Sequence, residues 1–410
     1  MNKYDYIHSL TQVKLILGNG YDLHCKLHSS YKDYLIKNRE LYNYIHNLID
    51  EYKTVFNDEL YFLENETFKR VDLSNINLWD FIFALYDQYN NSSTCWFNIE
   101  ELIKKTLEQK DVLSYGVSFK EILNVIQEKK KDGGFYSDIC ASFIINKSQL
   151  NKIYHSHDFY AFVLEELNEF EINFGLFIRR QRKNVDSRWF LIGLENDKYK
   201  KCADTTIKTL CNYNNVVSVD NFNYDDCGFE SFKTIERNIN GDYESPIIGV
   251  DSVFSPADEQ IVFTKTYRRM IADMNRIETE ESAPFKHVIV YGHSLDEADY
   301  SYFFPIFDKL NLLNSNADGT IVFAFTIYDS KKEHEIKSKL NKSVYKIIES
   351  YADVKGLKEK EKIRLVDYLS IQNRIIMYEI PELIGRDYNY KTYFDDGFED
   401  DEKWLSIVEL

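Results

Sequence analysis

With 410 residues, 44% of them hydrophobic and 29% charged, the chain is long enough for two or three domains and a large buried core. A net charge of −17 weighs against a nucleic-acid-binding surface, which needs a basic face. The six cysteines are scattered without a C-x-x-C pair, fitting neither a disulfide scaffold nor a zinc site.

In chain order, Val13-Lys14-Leu15-Ile16-Leu17 reads as a buried strand that ends at Gly18-Asn19-Gly20-Tyr21-Asp22. Apolar residues at helical spacing follow from Tyr31 to Tyr52, and Trp79–Tyr89 and Ile99–Leu107 read as further helices. Gly133-Gly134 marks a loop. A long amphipathic helix runs from His157 to Arg180, with Phe159, Phe162, Val163, Leu167, Phe170, Phe174 and Phe177 along one side as core. Strand character returns at Val216–Val219, Ile247–Val250, Val288–Tyr291 and Ile321–Phe325. Glu333–Lys362 reads as a charged helical stretch, and Asp395–Glu402 as a solvated acidic segment. The basic runs Lys129-Lys130-Lys131 and Arg179–Lys183 are candidates for a local basic patch, and read first as solvated helix ends.

Strands alternating with helices predict an α/β fold: a Rossmann-like, mainly parallel sheet covered by helices, with a large helical insertion. The expected core comprises residues 1–35 and 205–330, the insertion residues 36–204. Residues 331–410 form a C-terminal extension of helix and strand with an acidic tail. Met1 to Tyr6 lack the apolar stretch of a signal peptide, and no run of about 18 apolar residues offers a membrane span. A cytoplasmic protein without membrane contact is expected.

Four short motifs carry the functional signal. Glycine at the carboxyl end of a strand lets the backbone turn sharply and approach a ligand, and ligands of open α/β sheets lie at that end. Gly18-Asn19-Gly20 lacks the third glycine of the dinucleotide fingerprint, but a glycine turn before a helix still presents amides to an anion. Asp22 either caps the following helix or binds ribose hydroxyls. Asn223 and Asp225, in Phe222-Asn223-Tyr224-Asp225, either hold a sugar hydroxyl or water, or close the strand in an Asx turn. Asn240-Gly241 marks a further turn. Gly292-His293-Ser294-Leu295 opens a helix whose first turn carries Asp296, Glu297 and Asp299, and His293 is a candidate base or ligand contact. His155-Ser156-His157 lacks the further ligands of a metal set, so no metal is expected.

Leu17 to His24, with Ser29 to Leu35, resembles the N-terminal signature of the AbiH family of bacterial abortive-infection proteins. Ser218 to Tyr224, Pro246 to Asp251, Phe263 to Tyr267 and Tyr291 to Tyr300 resemble its later blocks, in islands across roughly residues 13 to 330. That resemblance implies phage defence by arrest or death of the infected cell. A more distant resemblance, in motif order, is to sirtuin-like NAD-binding folds. It implies that Gly18 and Gly20 lie at the cofactor's phosphates, with Asn19, Tyr21 and Asp22 of the same turn as further candidate cofactor contacts. Asn223 and Asp225 would hold the nicotinamide ribose and carboxamide side, Gly292 and Ser294 would lie near the adenosine, and Gly241 and Asp299 are further candidate cofactor contacts. Asp22 stands where serine is usual, and Asn240 where that family has its catalytic histidine. Asparagine accepts no proton at neutral pH, and a missing general base costs about 10²–10⁴ in rate unless His24, His28 or His293 substitutes.

Three functions follow: an effector that cleaves NAD or a related nucleotide, a non-catalytic sensor of NAD or ADP-ribose, and a nuclease acting on host nucleic acid. Asn223, Asp225, Asn240 and His293 are the candidate catalytic residues. No cofactor is required, with NAD or a related nucleotide as ligand or substrate. The expected partners are that small nucleotide and an unidentified phage trigger. Homo-oligomers are compatible with this reading, and nucleic acid is disfavoured by charge.

Overall fold

The computed structural model describes residues 2–25, 27–56, 76–90, 99–100, 103, 156–191, 198–225, 235–251, 258–273, 284–328 and 330–381. Among these, six strands form one sheet: β1 (Val13–Leu17), β2 (Val216–Asn221), β3 (Ile235–Asn238), β4 (His287–Tyr291), β5 (Thr320–Phe325) and β6 (Ile375–Glu379). The helices are α1 (Lys3–Ser9), α2 (Asn19–His24), α3 (Tyr31–Lys37), α4 (Arg39–Phe56), α5 (Leu78–Asn90) and α6 (Ser156–Leu191). They continue with α7 (Lys198–Leu210), α8 (Lys265–Asp273), α9 (Tyr300–Lys309), α10 (Glu333–Val354) and α11 (Glu359–Ile371). No described helix is long and apolar enough to cross a membrane.

Every neighbouring strand pair is parallel, and the order across the sheet is β3-β2-β1-β4-β5-β6. A doubly wound sheet of this order reverses direction between β1 and β4, and crevices form there, outside the carboxyl ends of the strands. Parallel strands covered on both faces are apolar throughout rather than alternating. One face of the sheet, including Leu15, Leu17, Ile289, Tyr291, Val322 and Tyr378, packs with Ile7 of α1 and Ile207 of α7. The other, with Ile16, Val290 and Phe323, packs with Phe303 of α9, Ile347 of α10 and Leu369 of α11. Residues beyond 331 thus cover one face and supply the edge strand β6.

A third core forms around α6. The stripe on α6 buries Phe162, Phe170, Phe174 and Phe177 against Tyr34, Ile45, Trp79 and Phe83. Tyr224, Ile248, Val250 and Phe263 extend this cluster from the segments that follow β2 and β3. The helical layer therefore packs on the connections that leave the carboxyl edge of the sheet.

Local chemistry explains where the elements depart from expectation. Tyr31–Tyr52 is two helices, because Asn38 caps α3 and turns its side-chain amide onto the Tyr34 carbonyl (2.9 Å). Glu333–Lys362 is interrupted at Gly356, which has φ +75°. Ile247–Val250 forms no strand beyond one bridge, from Val250 to Thr264. The Ile248 N–H donates to Glu171 Oε1 (2.6 Å) and its carbonyl accepts from Arg268 (2.8 Å), so side chains satisfy the backbone that a ladder would otherwise pair. Most of Ile99–Leu107, Gly133-Gly134, Lys129–Lys131, His155 and Asp395–Glu402 lie outside the described residues.

Candidate functional site

At the switch point the turns after β1 and β4 press directly on each other. The Gly18 N–H donates to the Tyr291 carbonyl (3.0 Å), and the Gly20 N–H donates to the Gly292 carbonyl (2.8 Å). A Cβ on Gly18 would lie 2.6 Å from His293 Cα, and one on Gly20 would lie 2.6 Å from Gly292 Cα. Gly292 has φ +68°, and a Cβ there would stand 2.4 Å from the Tyr21 nitrogen. The glycines thus do permit a close backbone approach, and what approaches is the opposite turn. Beside it, Asn19 Nδ2 donates to Ser29 Oγ (2.8 Å), which donates to Asp22 Oδ2 (2.7 Å). Asp22 is buried within the first turn of α2, where Gly18 holds the N-cap position, so it does not cap the helix. Tyr21 is wholly buried in the core, and Ser294 is exposed.

The segment after β2 is fixed by its own asparagines. Asn221 Oδ1 accepts the Asn223 N–H (3.0 Å), an Asx turn, and Asn221 Nδ2 donates to the Asp225 carbonyl (2.6 Å). Asn223 Nδ2 reaches across to the Gly18 carbonyl (3.2 Å). Asp225, buried, accepts from Arg182 of α6 (2.9 Å) and so ties the sheet edge to the helical layer. Asn240 Nδ2 donates to the Phe222 carbonyl (3.0 Å), and its Oδ1 accepts from Arg269 (3.3 Å). Gly241, at φ +75°, is required by the turn, because a Cβ would meet the Ser245 carbonyl oxygen at 2.1 Å. That turn in turn seats on α6, where a Cβ on Gly175 would lie 2.2 Å from the Tyr243 carbonyl oxygen.

Next to these residues lies a buried charge cluster. Asp299 Oδ1 pairs with Lys265 Nζ at 2.8 Å, its Oδ2 is 3.5 Å from His293 Nε2, and Lys265 also reaches Glu100 at 3.3 Å. Burial opposes the charge of Asp299, but Lys265 and then His293 outweigh it and hold the carboxyl below its usual range. Burial likewise opposes the charge of Lys265, and Asp299 and Glu100 overcome it. Glu100 is pushed up by burial, against the pull of Lys265. Burial also pushes His293 below its ordinary value, so at neutral pH the ring is uncharged. Its Nδ1 accepts the Leu295 N–H (2.9 Å), which leaves the proton on Nε2, facing Asp299. The ring lies edge-on to Phe222 and Phe303, with centroids 4.5 and 5.2 Å away. Tyr31 and Tyr224 share a hydrogen bond of 2.6 Å close by, and burial raises both phenols.

Of the sequence candidates, Gly18, Gly20, Asn223, Asn240, Gly292 and His293 are linked through the backbone of these turns and through Phe222. Asp299 joins them through His293. His24 instead bonds Tyr328 (3.0 Å), and His28 is exposed beside Asp33. Nothing in the sequence singles out Arg269 and Glu100, and Lys265 stands out only as part of the Phe263–Tyr267 block. Lys265 and Arg269 stand four residues apart and share a face of α8, but Glu100 and Asp299, the acidic partners of Lys265, are distant from it in sequence, and Arg269 meets only neutral oxygens. Lys14 and Asp220 were likewise read only as parts of strands. They form a buried pair across β1 and β2 (2.5 Å), which Arg237 joins at 3.0 Å and the Tyr302 hydroxyl completes.

No curated protein and no solved structure significantly matches this chain. A family model described as "Bacteriophage abortive infection AbiH" matches residues 15–323, from β1 through most of β5. That span includes both glycine turns, the asparagines after β2 and β3 and the charge cluster, so the chain belongs to the AbiH family.

Proposed function

We propose that this abortive-infection protein binds a nucleotide of the NAD or ADP-ribose class at the switch point and acts as its sensor rather than its hydrolase. The observation that carries the reading is His293. Its Nδ1 is occupied by the Leu295 N–H and its Nε2 proton faces Asp299, so neither nitrogen offers a lone pair to a substrate. Asn240, where the sirtuin-like pattern has its base, is engaged on the Phe222 carbonyl and Arg269. The doubly wound strand order, with ionisable groups of perturbed pKa gathered near its switch point, supports ligand binding there.

One observation favours the alternative, cleavage of the nucleotide: Glu171 is pushed up to about 7 by burial, against Arg268 and the Ile248 N–H. A carboxyl in that range suits proton transfer at neutral pH.

Purified protein incubated with NAD, NADP, ATP and ADP-ribose decides between them. Sensing predicts an intact panel on chromatography and a raised thermal midpoint with at least one member. Saturation at about 100 Kd adds roughly 2.7 kcal/mol. Asn223→Ala should weaken that shift. Released nicotinamide would establish hydrolysis, and a panel that neither shifts the midpoint nor is consumed would refute a nucleotide site.

A further inference from the structure

Among the described residues, several buried and half-buried cations are matched by carboxylates. Arg182 pairs with Asp225, Arg268 with Glu171, Lys265 with Asp299, and Lys14 with Asp220. Arg374, a second kind, spends all five N–H groups on carbonyls: Gly319, Leu312, Asn314, Leu310 and Asn311. The three around Leu310 lie at the carboxyl end of α9, where a cation complements the helix dipole.

Arg269 fits neither pattern. Its Nε donates to the Ile239 carbonyl (2.8 Å) and Nη2 to Asn240 Oδ1 (3.3 Å), both neutral oxygens. Among the described residues no carboxylate forms an ion pair with it, and three of its five N–H groups find no acceptor. The guanidinium is half-buried, 5.8 Å from the centre of the Tyr302 ring. Burial disfavours its charge, and Asp299, Tyr302 and Asp251 act only from a distance; arginine nonetheless stays protonated. None of its nitrogens is among the buried side-chain atoms that lack a partner, so the open donors reach solvent, from which an anion can meet them.

We propose that Arg269 is the anion-binding residue of the site and takes a phosphate or pyrophosphate group on its open donors. A planar fork held by two neutral oxygens is pre-oriented for bidentate contact with phosphate oxygens. Asn240 then has a role that needs no basicity: its Oδ1 orients the fork while its Nδ2 anchors it to the strand end at Phe222. The proposal rests on the reading that this edge of the sheet is a ligand site, and it assigns the part of the ligand that is recognised.

The test is calorimetric titration of the full chain with inorganic phosphate, inorganic pyrophosphate, ADP-ribose and adenosine, on wild type, Arg269→Gln and Arg269→Lys. Pyrophosphate and ADP-ribose should bind wild type, with Arg269→Gln weakening both on the order of 10- to 100-fold. Arg269→Lys keeps the charge without the fork and should fall between. It also separates recognition from folding, since its thermal midpoint should stay near that of wild type. Equal affinities in wild type and both variants, or no pyrophosphate binding to wild type, would overturn the proposal. Adenosine binding without pyrophosphate would leave the nucleotide reading standing and remove this one. Pyrophosphate or phosphate binding lost in Arg269→Gln, without any nucleotide preference, would do the reverse.

Discussion

Gly20→Ala sets two well-understood effects against each other. Gly20 lies within α2 and its φ is outside the left-handed region, so helix propensity alone favours alanine by about 1 kcal/mol. The packing says otherwise. The new methyl would sit 2.6 Å from Gly292 Cα and 2.9 Å from its carbonyl oxygen, where carbon atoms need about 3.5–4.0 Å. Both obstacles are backbone and cannot rotate away, so the two turns must part by about 1 Å at an overpacking cost of roughly 1–3 kcal/mol. Parting also stretches the 2.8 Å bond from the Gly20 N–H to the Gly292 carbonyl, a further loss of about 1 kcal/mol. The expected net is a destabilisation of about 1–3 kcal/mol, read from urea denaturation followed by circular dichroism. Gly292→Ala should cost more, because it adds left-handed strain of about 1–2 kcal/mol to the same collision. Once the turns have parted the second methyl meets less resistance, so the double variant should cost less than the sum of the singles. A stabilised Gly20→Ala, or strictly additive costs, would show that the turns do not hold each other as described.

Three other measurements probe the groups around the site. Asp220→Ala strands Lys14, which is 2% exposed, and should cost about 3–5 kcal/mol, whereas Lys14→Met/Asp220→Ala should recover much of that loss in the same denaturation assay. Failure of the double variant to recover would point to Arg237 and Tyr302 as the partners that matter. Arg374→Lys has at most three donors for five carbonyls and should lower stability by about 2–3 kcal/mol; an unchanged thermal midpoint would refute the carbonyl cage. For His293 the folded pKa is depressed below 6.5, chiefly by burial, so the folded state binds fewer protons than the unfolded one. Its contribution is complete above pH 6.5 and lost as pH falls through the folded value. Imidazole nitrogen NMR at pH 6.5 should therefore show a ring less than half charged, with the proton of its neutral form on Nε2, and His293→Gln should flatten the decline in stability below pH 6.5. A half-charged ring at pH 6.5 would contradict the buried, Leu295-bonded geometry.

The sheet was legible wherever a strand is covered on both faces. β1, β4 and β5 announce themselves as apolar runs because every position on them but Phe325, at the end of β5, is buried. β3 did not, since Ile235-Glu236-Arg237-Asn238 carries the polar content of an edge strand, and its Arg237 is recruited by Asp220. Ile247–Val250 misled for the opposite reason. Ile248 and Val250 join the core around α6, so burial produced a strand-like pattern, while Glu171 and Arg268 took over the backbone of Ile248.

The same division governs the site. Glycines and asparagines mark turns through local rules, so their positions could be read, but what a turn touches depends on residues far away in sequence. Gly18 and Gly20 meet Gly292 across more than 270 positions, and only the pairing of β1 with β4 brings them together. Charge pairs are harder still, because Lys265 gives no local sign that Asp299 and Glu100 will meet it. This has a consequence for how a ligand would enter. With the β1 and β4 turns sealed at the base by backbone hydrogen bonds, open donors on this edge lie on Arg269, on the β2 side beyond Phe222 and Asn240. A ligand that uses them approaches over the Asn240-Gly241 turn. That turn is seated on Gly175 of α6, and Arg182 on the same helix holds Asp225. Displacing α6 would therefore shift both supports of the site at once, which makes the helical layer the element best placed to couple occupancy to a change elsewhere in the protein. Gly175→Ala, whose methyl would collide with the Tyr243 carbonyl oxygen at 2.2 Å, should weaken pyrophosphate binding although it touches no ligand. Unchanged affinity in a folded Gly175→Ala protein would break that link.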